Sequence, residues 1–222
     1  MGKDSELQAD DGFSLGVYEA YPDGKPKGSI VVLQEIFGVN THIREVVDRF
    51  ADAGYFAVAP FIFDRVEKGI ELGYSEDDMA VGIEIAFQKL NQADAISDIQ
   101  AVIDRAKEHG NVGLVGFCFG GLLTWLSACR LAGLSAAVSY YGGGVTEQKD
   151  LSANCPVIMH FGELDEHISM ESVKVFEELH PEIPIYVYPA DHGFNCDHRA
   201  SYNEGAAKKA MGRTLDFFEE NL

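Results

Sequence analysis

Apolar, β-branched runs bounded by turn residues recur along the chain and predict strands over Leu15–Ala20, Ser29–Gln34, Phe56–Pro60, Val112–Phe117, Ala136–Tyr141, Val157–Gly162 and Ile185–Pro189. Several are almost continuous in Val, Ile, Leu and Ala, the pattern of parallel strands buried on both faces. Between them, segments of helical periodicity predict helices over Thr41–Ala53, Ser75–His109, Gly121–Leu131, Met170–Leu179 and Glu204–Leu222. This alternation implies right-handed crossovers and an α/β fold with an open, mostly parallel sheet covered by helices on both faces. In such a sheet, ligands bind beyond the carboxyl ends of the strands, so the residues just after each strand are the ones to search.

No linker, low-complexity tract or fixed repeat divides the 222 residues, and one domain spanning 1–222 is expected. With 36 acidic against 17 basic side chains, the net charge of -19 argues against a phosphate-binding surface, so neither nucleic acid nor an anionic membrane is an expected partner. The N-terminal MGKDSELQADDG has no basic stretch followed by an apolar run, and no segment is long and apolar enough to span a bilayer. A cytoplasmic protein, monomeric or weakly dimeric, is expected. Cys118, Cys129, Cys155 and Cys196 form no CxxC pair, which points to reduced thiols rather than a disulfide scaffold or zinc ribbon.

The strongest local signal is a strand, then Gly116-Phe117-Cys118-Phe119-Gly120, then an amphipathic helix. It matches the nucleophile elbow of hydrolases, with Cys in place of Ser. Glycines two positions either side of the nucleophile relieve collisions in the sharp turn, and Gly121 adds room. At a helix N-terminus the thiolate of Cys118 is favoured, and the Phe119 amide would face a developing oxyanion. The general base and its acid should follow later strands in the order nucleophile, acid, histidine. Asp165 lies in the loop after Val157–Gly162, and His192 just past Ile185–Pro189, so three strand ends converge.

Each residue has a plainer reading: a buried thiol for Cys118, a helix cap for Asp165, a solvated loop residue for His192. The ordered combination favours catalysis. Glu163, Asp191, His160, His167 and His198 rank below, because strand alternation turns His160 along the sheet and His167 and His198 fall at helix starts. The run Asp191, His192, Cys196, Asp197 and His198 also resembles a metal-ligand cluster. Its spacing matches no compact four-ligand template, and its thiol and imidazoles would need companions elsewhere, so no metal or cofactor is expected.

Over essentially its full length the chain resembles the dienelactone hydrolase (carboxymethylenebutenolidase) family of α/β-hydrolases. The matching pieces are LQEIFGVN (Leu33–Asn40), GYFAVAP (Gly54–Pro60), GFCFGG (Gly116–Gly121), YYG (Tyr140–Gly142), FGELD (Phe161–Asp165), HGF (His192–Phe194) and AAKKAMGRTLDFF (Ala206–Phe218). The resemblance implies an α/β-hydrolase fold and a triad of Cys118, Asp165 and His192. It also implies that Glu35 contacts the thiol and gates its activation, and that the backbone N–H groups of Ile36 and Phe119 form the oxyanion hole. The plainer reading of Glu35 is a carboxylate held by backbone N–H groups at the start of the next helix.

The resemblance also has gaps. Family members that take dienelactones hold the substrate carboxylate with arginines, one after the GYFAVAP segment and one shortly after the histidine. Here EKGIELGYSEDDMAVGIEIAF contains no Arg, and the position four beyond His192 is Cys196. Arg65 and Arg199 could substitute if they reach the pocket. Phe37, Phe119, Tyr140, Tyr141 and Phe194 would edge a pocket suited to apolar or aromatic acyl groups. The expected activity is hydrolysis of a small ester or lactone through a Cys-Asp-His triad and a thioester. The alternatives are a thiol-dependent redox enzyme, with Cys129, Cys155 or Cys196 as resolving thiol, and a non-catalytic binding module on the same fold.

Overall fold

A computed structural model describes residues 1–222. Eight strands form one sheet: β1 (Lys3–Gln8), β2 (Ser14–Ala20), β3 (Ser29–Leu33), β4 (Phe56–Pro60), β5 (Val112–Phe117), β6 (Leu134–Tyr140), β7 (Val157–Gly162) and β8 (Ile185–Tyr188). Their spatial order is β1-β2-β4-β3-β5-β6-β7-β8; β2 is antiparallel to both its neighbours, β1 and β4, and β4, β3 and β5 to β8 are parallel. All seven expected strands are present. The additional strand, β1, is a polar edge (KDSELQ) without apolar alternation, held by its backbone register with β2 rather than by a buried face.

Six α-helices connect the strands: α1 (Thr41–Asp52), α2 (Glu76–Glu84), α3 (Gln92–Ala106), α4 (Phe119–Arg130), α5 (Met170–Leu179) and α6 (Glu204–Asn221). α1 and α6 cover one face, meeting through Phe50 and Phe218, while α3, α4 and α5 cover the other, with Trp125 of α4 against Phe176 of α5. Sixty-one buried apolar residues form one continuous core between these layers. The single helix expected over Ser75–His109 is instead two. α2 widens into a π-helical turn at Ile85–Lys89, the chain becomes extended at Leu90, and Asn91 caps α3 with its side chain. The break is where an apolar periodicity running through both pieces conceals a new N-cap.

The order of strand addition reverses at β3: its successor β4 lies on one side of it and β5 on the other, all three parallel. The crevice at that switch point is where this architecture places ligands. Both loops that line it, Gln34–Asn40 after β3 and the β5–α4 turn, are buried throughout apart from a half-exposed Cys118.

His160 of β7 lies inside the sheet layer, fully buried, with Nδ1 3.0 Å from Tyr188 Oη and Nε2 3.2 Å from Thr214 Oγ1. Burial, assisted by Arg213, pushes it down to about 3. An unfolded histidine takes up its proton near pH ~6.5, whereas the folded one stays neutral, so stability falls as pH drops below that value. Urea unfolding of the wild type should lose about 2 kcal/mol more between pH 7 and 4.5 than unfolding of His160→Gln. Parallel pH dependences in the two proteins would contradict this assignment.

Candidate active site

The β5–α4 turn presents Cys118 in a conformation rarely adopted by side-chain-bearing residues, φ 55° and ψ -115°. Such strain costs on the order of 1–3 kcal/mol and persists only where surrounding contacts enforce it. Here α4 is pressed into the sheet. A Cβ on Gly116 would collide with the Gly120 carbonyl, one on Gly120 would lie 2.5 Å from the Leu33 and Gln34 carbonyls, and one on Gly121 2.8 Å from the Tyr140 carbonyl. The Cys118 N–H donates to Tyr140 O at 3.0 Å, which fixes the turn against β6.

The N-terminus of α4 is unlike the others. α1, α2, α3, α5 and α6 are capped by the side chains of Asn40, Ser75, Asn91, Ser169 and Asn203, whereas α4 has no side-chain cap. The Phe119 N–H makes no backbone hydrogen bond, and neither does that of Ile36 across the crevice. Two N–H donors and the positive end of a helix dipole are thereby left for a ligand.

Asp165 and His192 come together from the ends of β7 and β8, with His192 Nδ1 2.7 Å from Asp165 Oδ2. Both are buried. The other Asp165 oxygen accepts the His167 N–H at 2.8 Å, and Asp191 Oδ1 accepts the His192 N–H at 2.6 Å, so both loops are tied to the ring they position. Burial disfavours a charged imidazole. The charge of Cys118 and the hydrogen bond that His192 donates to Asp165 outweigh it and raise His192 to about 10. Asp165 and His192 are thus hydrogen-bonded to each other, and His192 shares the lining of one cavity with Cys118. Of the rivals, Glu163 is exposed, Asp191 only ties down its neighbour's backbone, and His198 reaches Glu45 on the surface at 2.8 Å.

Glu35 departs from expectation. Its buried carboxylate is held by Arg199, whose Nη1 donates to Oε1 at 3.2 Å, and it makes no hydrogen bond to the thiol or to the start of α1. A guanidinium satisfies a buried carboxylate better than a weakly donating thiol does.

A cavity of about 340 Å³ opens over Cys118 and His192. Ile36, Phe37, Phe119 and Arg199 line it as expected. Four assigned residues do not. Arg65 is tied away from it by Asp98 (Nε to Oδ2, 2.8 Å) and Asp11 (Nη1 to Oδ2, 2.6 Å). Tyr140 turns into the core, its Oη 2.6 Å from Thr214 Oγ1, and Tyr141 and Phe194 are wholly buried in the layer beneath the floor. The apolar wall comes instead from Met79, Ile83 and Phe87, with Leu122 of α4. Their four-residue spacing along α2 and its π turn was visible in the sequence, but which face of the helix met the elbow was not.

A cysteine on a nucleophile elbow, with Asp and His following later strands of a mostly parallel sheet, defines an α/β-hydrolase. The profile of the dienelactone hydrolase family matches residues 15–222, and the chain belongs to that family. It is 32% identical to the carboxymethylenebutenolidase of Pseudomonas putida over 95% of this chain and 93% of that protein. A Synechocystis protein named for the same activity is 37% identical, covering 87% of this chain and 86% of its own. A Klebsiella pneumoniae crystal structure named for a dienelactone hydrolase superposes with a TM-score of 0.83 at 31% identity, covering 98% of both chains.

The elbow glycines leave no room for a methyl group. Gly120→Ala forces α4 away from β3 and should destabilise the fold by about 1–3 kcal/mol, the usual range for overpacking. Thermal melting reads the loss; a melting temperature within error of wild type would mean that the contact is loose.

Proposed function

We propose that this hydrolase cleaves small carboxylic esters or lactones through a Cys118-Asp165-His192 triad and a thioester intermediate. The observation that carries the reading is the buried Asp165–His192 hydrogen bond beneath a strained Cys118 at the floor of the cavity. The Cys118 thiolate attacks the carbonyl carbon, and the oxygen takes up negative charge against the Ile36 and Phe119 N–H groups. As the C–O bond breaks, the imidazolium of His192 gives its proton to the leaving alkoxide. His192, then neutral and oriented by Asp165, takes a proton from water, which attacks the thioester, releasing the carboxylate and restoring the sulfur.

Substrate choice follows from the wall. Met79, Ile83, Phe87, Phe119 and Leu122 offer an apolar surface for an aliphatic or aromatic group. Arg199 is the cation in this lining, and part of its charge is matched by Glu35. Neutral esters with an apolar acyl group therefore suit the cavity better than anionic lactones. The lactone cleaved by the carboxymethylenebutenolidases named above belongs to the same reaction class.

Two measurements test this reading. Cys118→Ala should abolish ester turnover, and Asp165→Asn should lower kcat/KM about a thousandfold or more while leaving acyl-chain preference unchanged. Mass spectrometry of acid-quenched wild type during turnover should find the acyl group on the peptide containing Cys118; turnover surviving in Cys118→Ala would end the proposal. Phe87→Ala should raise KM for an aryl-acyl ester by about tenfold, with little change for the acetyl ester. Equal effects on both would remove Phe87 from the acyl site.

A further inference from the structure

Behind the Glu35–Arg199 pair lies a second group of chemically active side chains that the hydrolytic scheme does not use. Glu35 follows β3, His42 lies in the first turn of α1, and Cys196 stands in the loop after β8. One ring nitrogen of His42, one carboxylate oxygen of Glu35 and the Cys196 sulfur all lie within 4.8 Å of one another. All three residues are essentially inaccessible. The sequence run ending in Cys196, Asp197 and His198 lacked companion ligands from elsewhere in the chain, and the fold supplies two.

The polar atoms here are not satisfied among themselves. His42 Nδ1 is engaged by Asp197 Oδ1 at 3.3 Å, which leaves Nε2, and Nε2 has no hydrogen-bond partner. Glu35 Oε1 is engaged by Arg199, and Oε2 has no partner either. Burial keeps His42 below the usual imidazole range, so at neutral pH Nε2 is a bare lone pair. Two buried acceptors beside a thiol lack a donor, and each unsatisfied group costs about 1–3 kcal/mol.

We propose that Glu35 Oε2, His42 Nε2 and Cys196 Sγ form a binding site for a thiophilic divalent transition metal ion of the Zn²⁺ type. An oxygen, an imidazole nitrogen and a sulfur are the donors such an ion takes. Tetrahedral coordination, with bonds of about 2.0–2.3 Å, sets donor separations of about 3.3–3.8 Å, so side-chain adjustments of about 1 Å close the site. The outer shell is already present. Asp197 accepts from His42 Nδ1–H in the carboxylate–histidine arrangement that orients metal-bound imidazoles, and Arg49 in turn holds Asp197 at 2.6 Å. Binding converts the Cys196 S–H, which now donates to Tyr74 Oη at 3.2 Å, into a thiolate, and its proton leaves to solvent. Arg199, which lines the cavity and covers Glu35, is the side chain that swings to admit the ion. An ion seated there draws Glu35 away from Arg199 and frees the guanidinium at the cavity wall.

The test uses full-length protein in a Cys118→Ala background, which removes the thiol of the elbow as a competing ligand. Co²⁺ is titrated while the thiolate-to-cobalt charge-transfer band is followed, and Zn²⁺ is then added to displace it. One equivalent of Co²⁺ should bind with a charge-transfer band. Adding Cys196→Ala should abolish the band, and adding His42→Gln should weaken binding at least about tenfold. Circular dichroism melts confirm folding of each variant; if one fails to fold, the other decides. Absence of the band, or a band that survives both substitutions and so arises at Cys129 or Cys155, overturns the proposal. The readout is independent of turnover, so failure of the hydrolytic reading leaves it intact.

Discussion

The arrangement depends on one close approach, that of the first turn of α4 to the ends of β3 and β6. At Gly116, Gly120 and Gly121 the helix backbone lies so near the neighbouring carbonyls that no side chain fits. That contact holds Cys118 at positive φ, aims its sulfur out of the sheet and brings the Phe119 N–H opposite the loop carrying Ile36. The strain at Cys118 is offset by the core around it, since Phe117, Leu123 and Trp125 are all fully buried. A looser turn would release the strain and, with it, the convergence of thiol and N–H groups on one point.

The electrostatics of the crevice rest on pairing every buried charge with an opposite one. Asp165 is matched by His192, and Glu35 by Arg199. Removing one member of a buried pair strands the other, at a cost of about 3–5 kcal/mol, which holds Asp165 and His192 in place. The same rule explains why Arg65 is absent from the cavity. Asp98 is completely buried, and Arg65 is its bidentate partner, so any excursion of Arg65 would leave a bare carboxylate in the interior. Arg199 is differently placed: it lies across the faces of Phe37 and Tyr74 at the edge of the cavity, where its head is partly hydrated.

Much of this was legible in the sequence because the signals were local. Strand–turn–helix order, the glycines of GFCFGG and the chain order Cys, Asp, His each reflect a backbone constraint acting within a few residues. The structure hydrogen-bonds Asp165 to His192 and places His192 on the same cavity as Cys118. What was not legible depended on side-chain direction at long range. Tyr140 and Tyr141 stand at a strand end, as an edge residue would, yet Tyr140 is drawn inward by Thr214 of α6, 74 positions away. The wall of Met79, Ile83 and Phe87 required the break at Leu90–Asn91, which the continuous apolar periodicity hid. β1 was missed because an edge strand needs only one neighbour and no buried face.

Cys196, at the fourth position after His192, where an arginine was sought, and Arg199, three residues further on, give the chain its own character. At the fourth, Cys196 turns inward to Tyr74 and the Glu35–His42 group; at the seventh, Arg199 reaches back over Gly193 to bind Glu35. The turn between them makes this possible: Cys196 N–H donates to Gly193 O at 2.9 Å and Arg199 N–H to Cys196 O at 3.1 Å, so the backbone advances about one helical turn, Cys196 is buried and Arg199 lines the cavity. Gly193, at φ 77°, leaves the space that the guanidinium fills, because a Cβ there would collide with it. The cation therefore lines the cavity with Cys118 and His192, three residues beyond a buried thiol. Arg199 neutralises Glu35 from the cavity side, and Glu35 lies beside the Cys196 sulfur and the His42 imidazole on the other. Glu35 thus stands between two environments, one oxygen engaged by the cavity-lining Arg199 and the other buried without a partner.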